Sequence, residues 1–405
     1  MGTMVTRRRR VAGICAAFVS LVVVLVLLEV VAGVIWKSKY NQWLEGQLHG
    51  YDHVDYERSV IVPNPNTTMT VGRYREALAA RGKTLGLKYS EDTQQGAAMA
   101  DSAVLFRVNS LGFKGPEVAV PKPPGVFRIL TIGDSCTWGP PNDDWTYPRI
   151  MERVLNGLVD RGSVTRVEVV NAGVYGYNFE RVIKRLDDFL AVDPDLVTIY
   201  LGWNRTIGRA DPAKNLFLYR RFALYRIYYH FVVQRADTGL QEDFNTKTYY
   251  EKDDPSLEAY KEYSFRYDML DLGTVVRAIR ERNDETRIVI VTLAGLYDWR
   301  VEPDDEALRI GYPIASTPNL YAYALLTRRY NEALRQRADE LQLDVIDFER
   351  YAVDHLLPRT DYWHDSVHLS TIGNLEMGEY LASELAARLP GRFGVPDRPD
   401  IQPGD

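Results

Sequence analysis

The sequence is poor in the residues that form disulfides or bind metal ions. Of its 405 residues, two are cysteines and six are histidines. Cys15 lies within a long apolar run and Cys136 in a segment expected to form domain core, so we do not expect them to pair. The histidines lack the spacing typical of a metal site. Neither a disulfide framework nor a metal centre is therefore expected.

An excess of positive charge is also lacking. The chain has 49 lysines and arginines against 55 aspartates and glutamates, a formal net charge of −6. Four of the basic residues are the arginines at positions 7–10, so the rest is more acidic than this total. A nucleic-acid-binding domain normally has a basic stripe on its folded part. Nucleic acid is therefore not an expected partner.

One long hydrophobic run is present, near the N-terminus. Residues 11–28 are uncharged, and the apolar character continues past Glu29 to Trp36. About 20 helical residues span the hydrocarbon core of a bilayer. Basic residues flanking a span favour the cytoplasmic side. We therefore predict a basic cytoplasmic tail (1–10) and a single transmembrane anchor (11–36), with the remainder extracytoplasmic. The alternative is a cleaved signal peptide, whose apolar region is usually shorter.

The remaining chain divides by composition. Residues 37–123 form a polar, tyrosine-rich connector in which 106–115 predict a short strand and a glycine turn. A proline-rich step at 121–125 precedes the main predicted domain, 124–390. Residues 391–405 are rich in proline and predict a disordered tail.

The pattern within 124–390 alternates between strand and helix. Short apolar runs, typical of strands buried on both faces, lie at 127–132, 167–170, 196–201, 288–293 and 343–346. Helical stretches lie at 147–159, 180–191, 323–341 and 372–389. This alternation predicts an α/β domain with a doubly wound, flavodoxin-like parallel sheet of about five strands and flanking helices.

A long insertion, 206–287, separates the third and fourth predicted strands. It contains a stretch rich in aromatic residues and arginine at 216–234. Insertions of this length usually form lids or binding loops. A helix packed on the flank of the domain is an equally good interpretation.

Candidate functional residues follow the first three strands. Ligands of open α/β sheets bind outside the carboxyl ends of the strands. Ser135 follows the first strand in a Gly-Asp-Ser turn, and a serine hydroxyl there needs a neighbouring base to act as a nucleophile. The glycine-containing segment 171–177 follows the second strand and Asn204 the third. Backbone amides and a side-chain amide can stabilise developing negative charge, although each segment alone is also a common turn.

A histidine base oriented by an aspartate is available near the C-terminus. Two overlapping Asp-x-x-His pairs occur, Asp361 with His364 and Asp365 with His368. In either pair the carboxylate would hold the imidazole in one tautomer and stabilise its protonated form. Spacing alone does not choose between them.

Together the four segments resemble the four sequence blocks of the SGNH (GDSL-like) hydrolases. In this resemblance Ser135 corresponds to the nucleophile and Asn204 to the third block. Gly176 corresponds best to the oxyanion-hole glycine of the second block, with Gly173 as the alternative. The third block of the family usually has aspartate after the asparagine, whereas Arg205 stands here. The last block continues with a small polar step and a glycine, which fits the residues after His368 and not those after His364.

The resemblance implies a catalytic triad of Ser135, His368 and Asp365, with an oxyanion hole formed by Ser135, Gly176 and Asn204. It implies no metal or organic cofactor. The expected function is an extracytoplasmic serine esterase that hydrolyses carboxylic esters, with O-acetyl esters among the candidates, on an acylated small molecule or a cell-envelope glycan. An O-acyltransferase that passes the acyl group to a polysaccharide would share the triad. A non-catalytic glycan-binding protein of this fold is the third alternative.

Overall fold

A computed structural model describes residues 2–81, 100–159, 164–206, 216–230, 247–314 and 317–393. The predicted tail beyond Phe393 and the end of the aromatic stretch, 231–234, lie outside these residues. The chain forms two compact units. The first consists of Met1–Gln47 with Asp211–Gly239, and the second of Leu48–Ala210 with Leu240–Asp405.

Among the residues that the structure describes, nine strands lie in the second unit. They are β1 (Asp52–Asp55), β2 (Val60–Pro63), β3 (Thr67–Thr70), β4 (Val104–Val108), β5 (Val126–Gly133), β6 (Arg166–Gly173), β7 (Leu196–Tyr200), β8 (Arg287–Val291) and β9 (Asp344–Ile346). Strands β1 and β2 form an antiparallel pair, as do β3 and β4. All four lie within the range predicted as a connector, where the sequence pattern indicated only the last of them.

Strands β5 to β9 form a parallel sheet in the order β6-β5-β7-β8-β9. This is the flavodoxin-like order, so the predicted fold is confirmed. All five strands coincide with the predicted apolar runs. Every residue of β7 is buried, as expected for a strand covered on both faces. The main hydrophobic core surrounds this sheet.

The helices of the second unit flank the sheet or connect its strands. They are α2 (Val71–Arg81), α3 (Ser135–Trp138), α4 (Tyr147–Leu158), α5 (Phe179–Lys184), α6 (Leu186–Leu190), α7 (Trp203–Thr206), α10 (Glu258–Lys261), α11 (Arg266–Arg282), α12 (Asp305–Ile310), α13 (Tyr321–Glu340), α14 (Phe348–His355), α15 (Arg359–Tyr362) and α16 (Thr371–Arg388). Helices α4 and α16 pack together, and α11 packs against α5, α6 and α13.

The single helix predicted at 180–191 is interrupted. Arg185 separates α5 from α6 with φ −118° and ψ 10°, outside helical geometry. Its side chain is only 2% exposed. The guanidinium pairs with Asp188 at 3.1 Å and lies 4.9 Å from the centre of the Phe189 ring. The interruption of the helix therefore places the buried Arg185 guanidinium against Asp188 and Phe189. A hydrophobic pattern does not reveal such a contact.

In its described part, the first unit contains helix α1 (Gly2–Glu45) and two short helices from the insertion, α8 (Phe217–Arg221) and α9 (Ala223–Tyr228). From Ile14 onward α1 is long and apolar enough to cross a membrane, with a mean hydropathy of 3.0 in its most apolar window. None of that window is buried by protein. The predicted candidate transmembrane helix is therefore present.

Strand register places the candidate residues at one edge of the parallel sheet. Gly133 at the end of β5 lies opposite Gly173 of β6 and Tyr200 of β7. The carboxyl ends of three adjacent strands therefore coincide. The chain leaves β5 toward β6 on one side and reaches β7 on the other, which makes this edge the topological switch point.

Candidate active site

Ser135 is the first residue of α3, on a tight turn directly after β5. The Asp134 carboxylate accepts a hydrogen bond from the Cys136 amide at 3.0 Å and caps the short helix. A Cβ at Gly133 would overlap the Thr137 side chain, so this step requires glycine. The turn therefore presents the serine hydroxyl at the edge of the sheet.

His368 lies between Ser135 and Asp365. Its Nε2 is 2.8 Å from Ser135 Oγ, and its Nδ1 is 2.7 Å from Asp365 Oδ2. The other carboxylate oxygen, Asp365 Oδ1, accepts from the amides of Val367 and His368, each at 2.8 Å. This is the connectivity of a serine nucleophile, its base and the carboxylate that orients the base.

The residues after His368 hold this loop in place. Ser370 Oγ accepts from the Gly373 amide at 3.1 Å and caps α16. A Cβ at Gly373 would overlap the Tyr362 carbonyl oxygen. The small polar residue and the glycine of this block are therefore explained by packing at the start of α16.

The second Asp-x-x-His pair is arranged differently. Asp361 is exposed. The His364 ring is stacked on that of His368 with centres 5.8 Å apart, and its Nε2 lies 3.8 Å from Asp365 Oδ2. His364 therefore lies beside the Ser135–His368–Asp365 chain, not within it.

Burial and hydrogen bonding shift the acid–base properties of these groups. Burial opposes ionisation of Asp365, but the charge of His368 and its hydrogen bond more than offset this and hold the pKa of the carboxyl well below its usual range. Burial lowers the pKa of His368, but Asp365 reverses this and leaves it raised. Burial raises the pKa of Asp134 to about 6, opposed by the Cys136 amide and by His368. Sequence reasoning had assigned Asp134 no part in the site.

The predicted oxyanion residues lie on neighbouring loops. Asn204 is in α7, directly after β7, and its side-chain amide donates to the Tyr177 carbonyl at 2.9 Å. Gly176 has φ +72°, which favours glycine. The amide of Gly173, the alternative, donates to Asn171 Oδ1 at 2.9 Å. A Cβ at Gly173 would overlap the backbone of α3, so close packing alone accounts for that glycine.

Binding of a metal ion would be a second chemical use of these side chains. One donor atom from each of His364, Asp365 and His368 lies within 4.8 Å of the others. Both ring nitrogens of His368 are engaged, however, by Asp365 and Ser135. A metal on these ligands would have to replace those contacts.

A model of the GDSL-like lipase/acylhydrolase family matches residues 131–375, more than half of the chain. The chain belongs to this family. It is a hydrolase acting on ester bonds, and the resemblance inferred from the four segments is confirmed.

Solved structures similar to this GDSL hydrolase include the acetyl xylan esterase AlAXEase, with 17% identity over 64% of this chain and 100% of that one, at a TM-score of 0.39. A lipase/acylhydrolase from Enterococcus faecalis has 16% identity over 67% and 100%, at a TM-score of 0.37. Axe2, an acetylxylan esterase from Geobacillus stearothermophilus, has 16% identity over 64% and 94%, at a TM-score of 0.39. A comparison with curated protein sequences gives no match.

The departure of this GDSL hydrolase from its family's third block has a structural explanation. Arg205 Nε lies 2.9 Å from a carboxylate oxygen of Asp268 in α11. The Asp268 side chain is only 3% exposed. Burial lowers the pKa of Arg205, but Asp268 more than reverses this and raises it. The arginine thus has a buried partner that the local sequence does not indicate.

The hydroxyl of Ser135 opens on a cleft with about 320 Å³ of empty space, part of it open to solvent. Its lining is Ser135, Cys136, Gly139, Pro140, Pro141, Tyr175, His364, His368, Leu369 and Asn374. Asn374 is held by the carbonyls of Leu369 and Ser370, at 3.1 and 3.0 Å. Sequence reasoning gave no role to the two prolines, Tyr175 or Asn374, because their residue types alone do not indicate a site.

Cys136 lies beside the nucleophile but has the properties of a packing residue. Its side chain is buried, and its Sγ donates to the Val367 carbonyl at 3.6 Å. Burial raises the pKa of this thiol, so it is protonated at neutral pH. This agrees with the interpretation of Cys136 as a small buried side chain.

Proposed function

We propose that this hydrolase is a serine esterase in which Ser135 is the nucleophile, His368 the base and Asp365 the residue that orients the base. The observation that supports this most directly is the position of His368, whose two ring nitrogens contact Ser135 Oγ and Asp365 Oδ2 at 2.8 and 2.7 Å. Ser135 attacks the ester carbonyl while His368 takes its proton and then passes it to the leaving alcohol. Water, activated by His368, releases the acyl group.

The tetrahedral intermediate needs donors for its oxyanion. We assign the backbone amides of Ser135 and Gly176 and the side-chain amide of Asn204. The amide of Gly173 already donates to Asn171, which favours Gly176. Asn204 uses one of its two N–H groups on Tyr177 and retains the second.

The substrate we propose is an ester of a short acyl group, such as acetate. The cleft beside Ser135 encloses little space, since its empty volume of about 320 Å³ includes open solvent. The alcohol side would be an envelope glycan, since the arginines at 7–10 favour a cytoplasmic N-terminus and an extracytoplasmic catalytic domain.

Hydrolysis of p-nitrophenyl acetate, butyrate and octanoate by the full chain in detergent tests the chemistry. We expect turnover to fall with acyl length and to be abolished in Ser135→Ala. Labelling by a fluorophosphonate probe should also disappear in that variant. Equal turnover by wild type and Ser135→Ala would refute the serine mechanism. Rapid acyl transfer to added oligosaccharide with negligible hydrolysis would favour the acyltransferase.

Orientation is tested separately. Alkaline phosphatase fused to the C-terminus is active only outside the cytoplasm, so we expect an active fusion. An inactive fusion would place the catalytic domain in the cytoplasm. Mass spectrometry of the purified protein should find a mature chain that retains residues 11–36; a start beyond Trp36 would show a cleaved signal peptide.

A further inference from the structure

The aromatic part of the insertion packs on the candidate membrane helix. The Glu29 carboxylate of α1 accepts hydrogen bonds from the amides of Ala223 and Leu224, at 2.5 and 3.2 Å. Seven residues further along α1, the Trp36 ring stacks on His230 with centres 4.8 Å apart. Residues 223–230 therefore lie along α1 from Glu29 to Trp36, about 10 Å of helix. We call residues 216–230 the insertion segment.

At this level α1 remains apolar and uncovered on its other faces. Val30, Val31 and Val34 are 60%, 55% and 68% exposed. These exposed valines extend the apolar part of α1 that no protein covers. The level from Glu29 to Trp36 therefore belongs to the apolar end of the span, away from the arginines at 7–10.

The insertion segment turns apolar side chains away from α1. Ala223 is buried, whereas Leu224 and Tyr228, one helical turn apart, are 38% and 53% exposed on one face of α9. In α8 the side chains of Phe217 and Leu218 are 65% and 48% exposed. Exposed Phe, Leu and Tyr interspersed with arginine are typical of segments that lie in the membrane interface.

Glu29 explains how such a segment is held. The first amides of a helix lack partners within it. Inside a bilayer an unpaired amide or carboxylate is costly. Pairing the Glu29 carboxylate with two amides at the start of α9 satisfies both groups. The carboxylate thus fixes the depth at which α9 lies against α1.

We infer that the insertion segment is a second membrane contact, with Phe217, Leu218, Leu224 and Tyr228 covered by lipid at the interface beside α1. The partner is the bilayer itself. This depends on α1 crossing the membrane and not on the esterase mechanism. It replaces both the lid and the flank interpretations for residues 216–230.

Site-directed fluorescence in lipid vesicles tests this directly. The full chain with Cys15→Ser receives a single cysteine at Leu224 or Tyr228, labelled with an environment-sensitive dye, in phosphatidylcholine–phosphatidylglycerol vesicles. Lipids that bear a nitroxide near the headgroup act as quenchers for interfacial positions, and lipids that bear one deep on the acyl chain act as quenchers for positions inside the span. Matched controls are Val22→Cys within the span and Ile372→Cys, an exposed position in the second unit. A sample without an introduced cysteine measures labelling of buried Cys136.

We expect blue-shifted, lipid-quenched emission at positions 224 and 228 and unquenched emission at 372. Quenching at 22 but not at 224 and 228 would overturn the inference, as would absence of quenching at 22. Emission at 224 that shifts with protein-to-lipid ratio but is not quenched by lipid would indicate a contact between two copies, which also overturns it.

Substitution of Glu29 provides a second, independent measurement. Glu29→Leu should remove most of the lipid quenching at position 224 while leaving that at 22 unchanged. Glu29→Gln retains an acceptor oxygen and should keep part of the quenching at 224. Unchanged quenching at 224 in Glu29→Leu would show that the carboxylate does not hold α9 in place.

Discussion

Replacement of each of the two histidines beside Ser135 by alanine, one at a time, gives the sharpest test of the proposed mechanism. His368 contacts both Ser135 Oγ and Asp365 Oδ2, whereas His364 Nε2 lies 3.8 Å from Asp365 Oδ2. Loss of the base alone reduces kcat by roughly 10⁶ in another serine hydrolase. We expect His368→Ala to lose at least ~10⁴ in kcat, about 5 kcal/mol of transition-state stabilisation. For His364→Ala we expect a loss below ~10-fold, under about 1.4 kcal/mol.

His368→Ala also lowers the stability of the fold, and the contacts of Asp365 set the size of this effect. When alanine replaces the His368 imidazole, Asp365 still accepts hydrogen bonds from the backbone amides of residues Val367 and 368. The Asp365 carboxylate therefore still has hydrogen-bond donors. We expect the free energy of unfolding to fall by ~1–3 kcal/mol, less than the ~3–5 kcal/mol of a broken buried ion pair. Thermal unfolding checks that the variant is folded at the assay temperature.

The assay is kcat and KM for p-nitrophenyl acetate with the full chain in detergent, wild type against the two matched histidine variants. Retained turnover in folded His368→Ala would refute the assignment of the base. So would a loss in His364→Ala as large as that in His368→Ala, because the stacked ring would then be required for the chemistry.

Further predictions concern the pH dependence, the oxyanion donor and the Arg205–Asp268 pair. Because Asp365 raises the pKa of His368, kcat/KM should fall with decreasing pH around an apparent pKa above the usual ~6.5, and Asp365→Asn should shift this value downward. That raised pKa also stabilises the fold fully below about pH 6.5, a contribution lost as pH rises through the folded pKa. Asn204→Ala should reduce kcat by ~10²–10³ with little change in KM, as expected for an oxyanion donor. Arg205→Ala should destabilise the fold by ~3–5 kcal/mol, measured by denaturant unfolding, because it leaves the Asp268 carboxylate buried and unpaired.

Each of these has a contrary result. A profile in Asp365→Asn with the wild-type apparent pKa would separate the carboxylate from the titration of His368. A rise in KM with unchanged kcat in Asn204→Ala would indicate ground-state binding only. If Arg205→Met combined with Asp268→Leu is no more stable than Arg205→Ala, the unpaired carboxylate is not the cause of the loss.

Most of the fold was predictable from local patterns in the sequence. A strand covered on both faces is apolar along most of its length, so runs such as that of β7 are recognisable without a structure. The candidate membrane helix was recognisable for the same reason, because its most apolar window is not covered by protein on any face. Ser135 and Asn204 could be singled out as candidates because parallel strands end at a common edge, so residues that follow them lie near one another.

What the tertiary structure alone decided involves pairs distant in sequence. The spacing allowed two Asp-x-x-His pairs. In the folded chain only His368 lies between Asp365 and Ser135, and Ser135 is 233 residues before His368 in the sequence. The Arg205–Asp268 pair and the contact of Glu29 with Ala223, 194 residues apart, likewise leave no periodic signal. Local periodicity reports which face of an element is buried, because burial is a property of each side chain. It does not report which partner covers that face, since a polar contact depends on where two elements meet after the chain has folded.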